Sequence, residues 1–333
     1  MPPIHILAAL IAALACAPAQ AQHAGHGAHG HAPAQAPSRH GHAHHAQAAT
    51  ATVPPEARAQ WRQLTDAMQR YRDFAVAERE GWKRFGGDGA LMGEHWYDPD
   101  AREPRPGEPL DFSRPSNLQY AWVDGRRELV GVSYVVRIGD GDPLPEGFAG
   151  DADHWHVHDA LKFIAAATEE RPVLRWLANG WVDAAYRLKG DERSRLAMVH
   201  AWVTVPSPDG PFSMHNRALP YLRAGLPLAF AAHGDEDAAN GVNLATGHGC
   251  REALDGMLWI ADARRAQARA LRERCARLAE AVHAAIGRDP RDAHAINVAA
   301  RDAWRELDAL KQRTLDAKQH ARLAAVTEHD PMH

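Results

Sequence analysis

The chain has 333 residues, of which 45% are hydrophobic and 24% are charged, so it is long enough for one large or two ordinary domains. Thirty-eight basic residues against 42 acidic ones give a formal charge of −4, which argues against nucleic acid as a partner. Three cysteines are too few for a disulfide scaffold or for a zinc module built on four thiolates, whereas 22 histidines are an unusually high number.

The first segment has the features of an export signal. An apolar run over residues 4–16 is too short to span a bilayer as a permanent helix. Ala19-Gln20-Ala21 follows and is typical of a signal-peptidase site, so we expect residues 1–21 to be a signal peptide and the protein to be periplasmic or secreted. The alternative is a lipoprotein anchored through Cys16, which an imperfect lipobox precedes.

Residues 22–51 form a segment rich in Ala, Gly, Pro, Gln and His, without hydrophobic periodicity. Such a composition predicts disorder, because too little apolar surface is available to offset the entropy of ordering. Its histidines lie one to three residues apart, as in His29-x-His31 and His40-x-His42. Imidazoles on a flexible chain can wrap around Cu(II), Ni(II) or Zn(II), so we expect a metal-capture arm that does not select one metal.

A long amphipathic helix is predicted from residue 52 to residue 85, where Gly86-Gly87 ends it. Residues 118–124 and 128–138 are rich in β-branched and aromatic residues, and Asp124-Gly125 between them predicts a hairpin. Two further strands are predicted at 154–158 and 196–205. A broken helix is expected between them, over 160–189.

The remainder is predicted to be loop-rich from 206 to 250, with one short helix near 213–224 and an exposed loop at 233–237. Two long helices follow, over 251–286 and to about residue 325, joined by a short break. The expected fold is α+β, an antiparallel sheet of about four strands with flanking helices on one face and a C-terminal antiparallel helical hairpin. We assign 52–250 to a metal-binding domain, 251–326 to a hairpin packed on it and 327–333 to a tail.

Cys250 and Cys275 are the thiols that remain after signal removal. If 251–286 is one helix, the two residues lie roughly 37 Å apart at 1.5 Å per residue. A disulfide needs Cα atoms within about 7 Å, so an intrachain bond would require a break in this helix. We therefore expect Cys275 in the core, and Cys250 either near a helix start or as a reactive thiol or ligand.

Histidines also concentrate in the part expected to fold, in four short motifs. They are Met92-Gly93-Glu94-His95-Trp96, His154-Trp155-His156-Val157-His158, Met198-Val199-His200-Ala201-Trp202 and Met214-His215-Asn216. Residues i, i+2 and i+4 of a strand share one face, so His154, His156 and His158 are predicted to project together. Two or three imidazoles at that spacing can bind one metal ion, although a half-exposed polar strand would show the same pattern.

His200 lies in an almost wholly apolar strand and shares its face with Met198 and Trp202. A buried histidine needs a hydrogen-bond partner or a metal, so His200 is a candidate ligand, with a structural core histidine as the alternative. Thioether and imidazole together suit copper, especially Cu(I), better than zinc. Copper is thus the expected metal, with zinc or iron as alternatives, and the candidate ligands are His95, His154, His156, His158, His200, His215 and Met198.

An enzyme would need an open coordination position and a carboxylate base, for which Glu94 and Asp159 are the nearest candidates in sequence. The chain lacks H-E-x-x-H, G-x-S-x-G and a phosphate-binding glycine loop. A metal-dependent oxidoreductase, or a zinc hydrolase, that uses the same histidines is the alternative function. A third interpretation is an interaction protein, a homodimer formed through the C-terminal helices, with structural histidines.

The stretch from about 60 to 215 resembles a group of secreted bacterial proteins that has no established activity. The resemblance is carried by Tyr71-Arg72-Asp73, by the motif at 92–96, by Leu129-Val130-Gly131-Val132 with Tyr134-Val135-Val136, by His200-x-Trp202-Val203 and by Pro206-x-Pro208-x-Gly210-x-Phe212. The resemblance implies that His95 and His200 belong to a structural arrangement that the members of this group share. The chain departs from the group in its HWHVH run and its C-terminal hairpin, and no function transfers.

Overall fold

The computed structural model describes residues 53–98, 106–139, 141–159 and 195–329, together with the isolated positions 104, 167–168, 171 and 173–174. The predicted signal peptide, the histidine-rich segment and residues 330–333 lie outside the described residues. The same holds for the predicted helix over 160–189, apart from those isolated positions.

The single helix predicted over 52–85 is wrong. A short 3-10 helix at Pro55–Ala57 leads into α1 (Arg58–Met68), and a second 3-10 turn separates α1 from α2 (Phe74–Arg79). Asp73 is extended and its carboxylate accepts a hydrogen bond from the backbone N–H of Ala75, so it starts a new helix. Gly81, with a φ of 85°, then turns the chain out of α2.

Six strands are present in the described part of the chain. Their bounds are Lys83–Gly89 (β1), Gly93–Tyr97 (β2), Asn117–Val123 (β3), Arg126–Ile138 (β4), His156–Asp159 (β5) and Arg195–Ala201 (β6). They form one antiparallel sheet in the order β1-β2-β3-β4-β6-β5. The α+β class is confirmed, whereas the expected number of about four strands is too low. β1 was missed because its sequence, KRFGGDG, lacks a strand-like apolar pattern.

The hairpin predicted at Asp124-Gly125 is confirmed. These two residues have φ angles of 49° and 78°, the left-handed pair that a tight two-residue turn between twisted strands requires. Two other boundaries differ from expectation. β5 begins at His156 rather than His154, and β6 ends at Ala201 because the backbone N–H of Trp202 donates to Pro211 instead of a neighbouring strand.

Helices pack on both faces of the sheet, where one face was predicted. Alternate residues of β4 and β6, such as Tyr134 and Val199, pack with Trp61 and Leu64 of α1 in one apolar cluster. Trp202, Val130 and Ala121 belong to a second cluster with the C-terminal helices. The sheet is therefore a central layer between two cores.

The C-terminal region contains six helices among the described residues. They are α3 (Leu219–Arg223), α4 (Glu236–Leu244), α5 (Gly249–Ile260), α6 (Arg265–Arg288), α7 (Ala293–Thr314) and α8 (Ala317–His329). The short helix expected near 213–224 is present as α3. The loop expected at 233–237 instead leads into α4, because the Asp235 carboxylate accepts from the backbone N–H of Ala238 and caps that helix.

A disulfide joins Cys250 and Cys275, with their Cα atoms 5.8 Å apart. The predicted separation of roughly 37 Å assumed one continuous helix, and that helix is broken between α5 and α6. Asp262, with a φ of 52°, lies in the turn that reverses the chain. Both sulfurs are consumed in this bond, so neither cysteine is a free thiol or a metal ligand.

The helices α6 and α7 form the C-terminal antiparallel hairpin. Arg274 pairs with Glu306, and the Gln267 amide donates to the carbonyl of Thr314, so one helix runs opposite to the other. The second predicted helix is interrupted at Leu315, which is extended and separates α7 from α8. Among the described residues, no helix combines the length and the apolar character needed to cross a membrane.

Candidate metal centre

One face of the sheet carries a band of buried polar side chains that spans five strands. His95 in β2 is opposite Gln119 in β3, and Ser133 in β4 is opposite His200 in β6. Met198, two residues before His200, is opposite His156 in β5. Directly opposed residues and residues two apart point to the same side of a sheet. We call the set His95, Gln119, His156, His158, Met198 and His200 the histidine face.

The imidazole rings of this face lie close together. The ring centres are 5.7 Å apart for His95 and His200, 5.2 Å for His156 and His200, and 5.1 Å for His156 and His158. His200 is fully buried, and His95 and His156 are 9% and 5% exposed. The fold thus brings together four of the six histidines predicted as ligands, from three strands that are distant in sequence.

Gln119 links two of these rings and was not foreseen from the sequence. Its side-chain nitrogen lies 3.2 Å from Nε2 of His95, 2.9 Å from Nδ1 of His200 and 3.2 Å from the carbonyl oxygen of Met92. Room for the amide exists because residue 131 is glycine, since a Cβ there would be 3.0 Å from Oε1 of Gln119. The only sequence signal was a polar residue among the apolar and aromatic residues of β3.

Burial keeps the two central imidazoles neutral. Burial, together with a smaller contribution from the nearby His158, lowers the pKa of His95 to about 4. Burial also holds the pKa of His200 well below the ordinary histidine value, with smaller contributions from His95, His156 and His215. A neutral imidazole keeps the lone pair that a metal ion requires.

Met198 and Trp202 form the immediate surroundings of His200. Met198 is 8% exposed and lies on the same face of β6. The indole ring of Trp202 stacks nearly parallel to the His200 ring at 5.6 Å, and its N–H donates to the carbonyl of Ser213. Met198 therefore lies opposite His156 in register and on the same face of β6 as His200.

Two other predicted ligands lie at the edge of this arrangement or outside it. His154 precedes β5 and is exposed, so the expectation that His154, His156 and His158 share one strand face holds only for the last two. His215 is half-buried, and its Nδ1 lies 3.9 Å from Glu236. It is close enough to contribute to the lowered pKa of His200.

Of the two carboxylates predicted as catalytic bases, that of Glu94 does not join the cluster. Glu94 neighbours His95 in β2 and therefore points to the opposite face of the sheet. There it is 1% exposed, pairs with Arg84 and Arg127, and accepts hydrogen bonds from the indoles of Trp96 and Trp122. Asp159, the last residue of β5, is opposite Arg195 in β6.

Within the residues that the structure describes, no three of His, Cys, Asp or Glu are already grouped to hold a metal ion. No protein-family model, curated protein or solved structure matches the chain. The assignment of a function therefore rests on the chemistry of the histidine face itself.

Acidification of the metal-free protein is expected to destabilise it between about pH 6.5 and pH 4, partly through His95. In the unfolded chain an imidazole takes up a proton near pH 6.5, whereas buried His95 does so only near its lowered pKa of about 4. The unfolded chain binds more protons in this window, so stability is fully present above the window and falls as the pH falls. The share of His95 is on the order of 3 kcal/mol at the acid end.

Replacing His95 with glutamine should remove this share of the pH dependence. The measurement is the free energy of unfolding in urea at about pH 7 and about pH 5, with a chelator present. His283→Gln, at an exposed position of α6, is the matched control. Burial raises the pKa of Asp88 to about 6, which acts in the opposite direction, but this contribution is common to all three proteins and cancels. Equal pH slopes for wild type and His95→Gln would contradict the prediction.

Proposed function

We propose that this chain is a periplasmic metal-binding protein that holds copper on the histidine face. The observation that carries the proposal is the convergence of His95, His156, His158 and His200 on one buried side of the sheet. Three buried imidazoles with a fourth, half-buried one beside them are uncommon in a protein unless they serve a purpose, because each buried ring nitrogen must find a partner.

The ring spacing supports a shared ion. Imidazoles that bind one ion through nitrogens at about 2.0 Å have ring centres roughly 5 to 6 Å apart. The three ring separations, 5.1 to 5.7 Å, lie in this range. Because the described residues contain no preformed group of three ligands, binding requires the rings to rotate towards a common point. Nε2 of His200 is buried and has no hydrogen-bond partner among the described residues, so no described protein group competes with an ion for this atom.

Copper is preferred over zinc and iron because of Met198. A thioether is a soft ligand, which favours Cu(I), while imidazole suits copper in both oxidation states. The wall formed by Trp202 would keep water from this side of the ion. Zinc and iron remain the alternative metals, and His215 is an outer candidate ligand.

The other expectations from the sequence extend this proposal. Export through the signal peptide would place the protein in the periplasm, where residues 22–51 act as the capture arm for the inner site. A redox enzyme using the same histidines is the alternative function, and Glu94 would not be its base, since it lies on the opposite face. A homodimer through the C-terminal helices stays a prediction. In the described part of the chain, Leu144 and Val173 are the exposed large hydrophobic side chains, and neither lies in those helices.

The test uses the full chain with every histidine within 22–50 replaced by glutamine, which we call the tail-substituted chain. Elemental analysis of this protein, exported and purified without added metal, should find stoichiometric copper. His200→Asn and His156→Asn should each lose it, because each removes a proposed ligand. His283→Asn, at the exposed α6 position, should retain it.

Full copper content in both His200→Asn and His156→Asn would contradict the proposed site. Stoichiometric zinc or iron, lost in the same two variants, would keep the site and change its metal. A folded tail-substituted chain without any metal, also after titration with Cu(I), would leave the four histidines as structural residues.

A further inference from the structure

The amide of Gln119 contacts both central imidazoles. The side chain is fully buried, and its nitrogen contacts Nε2 of His95, Nδ1 of His200 and the carbonyl of Met92 within 3.2 Å. Two buried atoms of this group have no hydrogen-bond partner among the described residues, namely Oε1 of Gln119 and Nε2 of His200. One end of the amide is therefore fully engaged, while its oxygen and the far nitrogen of the His200 ring are left without partners.

The contact with Met92 fixes the orientation of the amide. A backbone carbonyl only accepts hydrogen bonds, so the atom 3.2 Å from it is the amide nitrogen and not the amide oxygen. The NH2 group has two hydrogens for its three neighbours, so besides Met92 only the closer ring nitrogen, Nδ1 of His200, accepts from it, but neither ring nitrogen can carry a hydrogen directed at this group. Neutral His200 therefore has its lone pair on Nδ1, directed at Gln119, and carries its proton on Nε2.

This tautomer is unsuited to binding a metal through Nε2 of His200. For such binding, the Nε2–H bond has to break and an Nδ1–H bond has to form, which moves one proton within the ring system and leaves its charge unchanged. The new Nδ1–H needs an acceptor, as the second ring N–H of a metal-bound histidine usually has. If the Gln119 amide turns over, its oxygen takes the place of the nitrogen, 2.9 Å from Nδ1.

We propose that Gln119 is the positioning residue of the metal centre. When metal binds, its side-chain amide flips, so that the amide oxygen and nitrogen exchange positions. Without metal the nitrogen donates to His200 and holds the Nε2–H tautomer. With metal the oxygen accepts from Nδ1–H and presents the Nε2 lone pair to the ion. The turn replaces the hydrogen bond to Met92 with a contact between two oxygens, and it requires His95 to move its proton from Nδ1 to Nε2, next to the amide oxygen. Both changes oppose the turn and make the arrangement depend on metal occupancy. This inference rests on the proposed function.

The experiment reads the tautomer of His200 directly, by nitrogen NMR of the histidine-labelled, tail-substituted chain, with the signals assigned from His200→Asn. The metal-free protein should show the Nε2–H form, and titration with Cu(I) or Zn(II) should convert it to the Nδ1–H form. Gln119→Leu, which keeps the volume but no hydrogen bond, should give a mixture of tautomers and weaken metal binding by roughly 10- to 100-fold. Gln119→Glu, with acceptors only, should show Nδ1–H before metal is added.

Asn117 supplies the matched control for both changes. It lies two residues away on the same face of β3, is buried, and donates to the hydroxyl of Ser133 rather than to a histidine. Asn117→Leu and Asn117→Asp should therefore leave the His200 tautomer as in the wild type, although they change packing or charge equally. Metal binding with an unchanged His200 tautomer in Gln119→Leu and Gln119→Glu would overturn the role of Gln119 alone. A wild-type Nε2–H tautomer with no metal binding would overturn the proposed function and, with it, the turn of the amide.

Discussion

Replacing Glu94 with leucine is expected to lower the free energy of unfolding by about 3 to 5 kcal/mol, because it breaks a buried ion pair from one side. The carboxylate is 1% exposed and accepts from Arg127 and from the indoles of Trp96 and Trp122. Its loss leaves the Arg127 guanidinium, which is only 19% exposed and lies within 4.4 to 5.0 Å of three aromatic rings, without its counter-charge.

The ionised state of Glu94 is part of this argument. Burial by itself would raise its pKa, but the hydrogen bond from Arg127 and the charge of Arg84 outweigh burial and hold the pKa below the ordinary value. The group is therefore charged at neutral pH, and its role is to neutralise two arginines on the face of the sheet opposite the histidines.

Urea unfolding at neutral pH measures the effect, with Glu306→Leu as the control. Glu306 pairs with Arg274 on the surface of the α6–α7 hairpin, so its loss should cost at most about 1 kcal/mol. Copper binding by folded Glu94→Leu should equal that of the wild type. A stable variant that has lost its copper would show that Glu94 acts in the metal centre after all.

Replacing Gly241 with alanine is expected to lower the free energy of unfolding by about 3 kcal/mol, the upper range for overpacking a core. Gly241 lies in α4 and faces the backbone of Ala300 in α7. A Cβ at this position would overlap the backbone carbonyl of Ala300 and lie 2.8 Å from its Cα. Backbone atoms of a packed helix cannot rotate away as a side chain could, so the two helices must separate.

Gly256→Ala, in the same helical region, is expected to change the free energy of unfolding in the opposite direction. Gly256 is exposed within α5, and a Cβ there meets no atom within 4 Å. Alanine is favoured over glycine in a helix interior, so this variant should be more stable by up to about 1 kcal/mol. Thermal and urea unfolding of both variants test the pair of predictions, and equal stability of Gly241→Ala and the wild type would show that the helix crossing is not tightly packed.

For the histidine face, the local sequence pattern predicted which residues share a face of one strand, but not which strands are adjacent. Period-two spacing correctly placed His156 and His158 on one face of a strand, and Met198 with His200 on one face of another. The same pattern gave no indication that β5 pairs with β6, or that His95 would lie beside His200. Glu94 was considered with the histidines because it neighbours His95 in sequence, yet alternation along a strand sends neighbours to opposite faces.

In the C-terminal helical region, the local sequence pattern predicted the helices but missed a break between two of them. Apolar periodicity correctly indicated helices over most of 251–325, but it passed over the turn at Asp262. A turn of a few residues barely disturbs a count of apolar positions over a long window. For that reason the separation of Cys250 and Cys275 was expected to exceed the reach of a disulfide, whereas the reversal of the chain joins them.

The sequence by itself determined the α+β class, four of the six described strands, the Asp124-Gly125 turn and the residue types of the candidate site, because these depend on neighbours a few positions apart. The tertiary structure alone decided which strands are adjacent, and therefore that His95, Gln119, His156 and His200 share one buried face. Strand register between distant segments is fixed by the packing of whole faces against two cores. That is a property of the folded chain as a whole, and no short window of residues contains it.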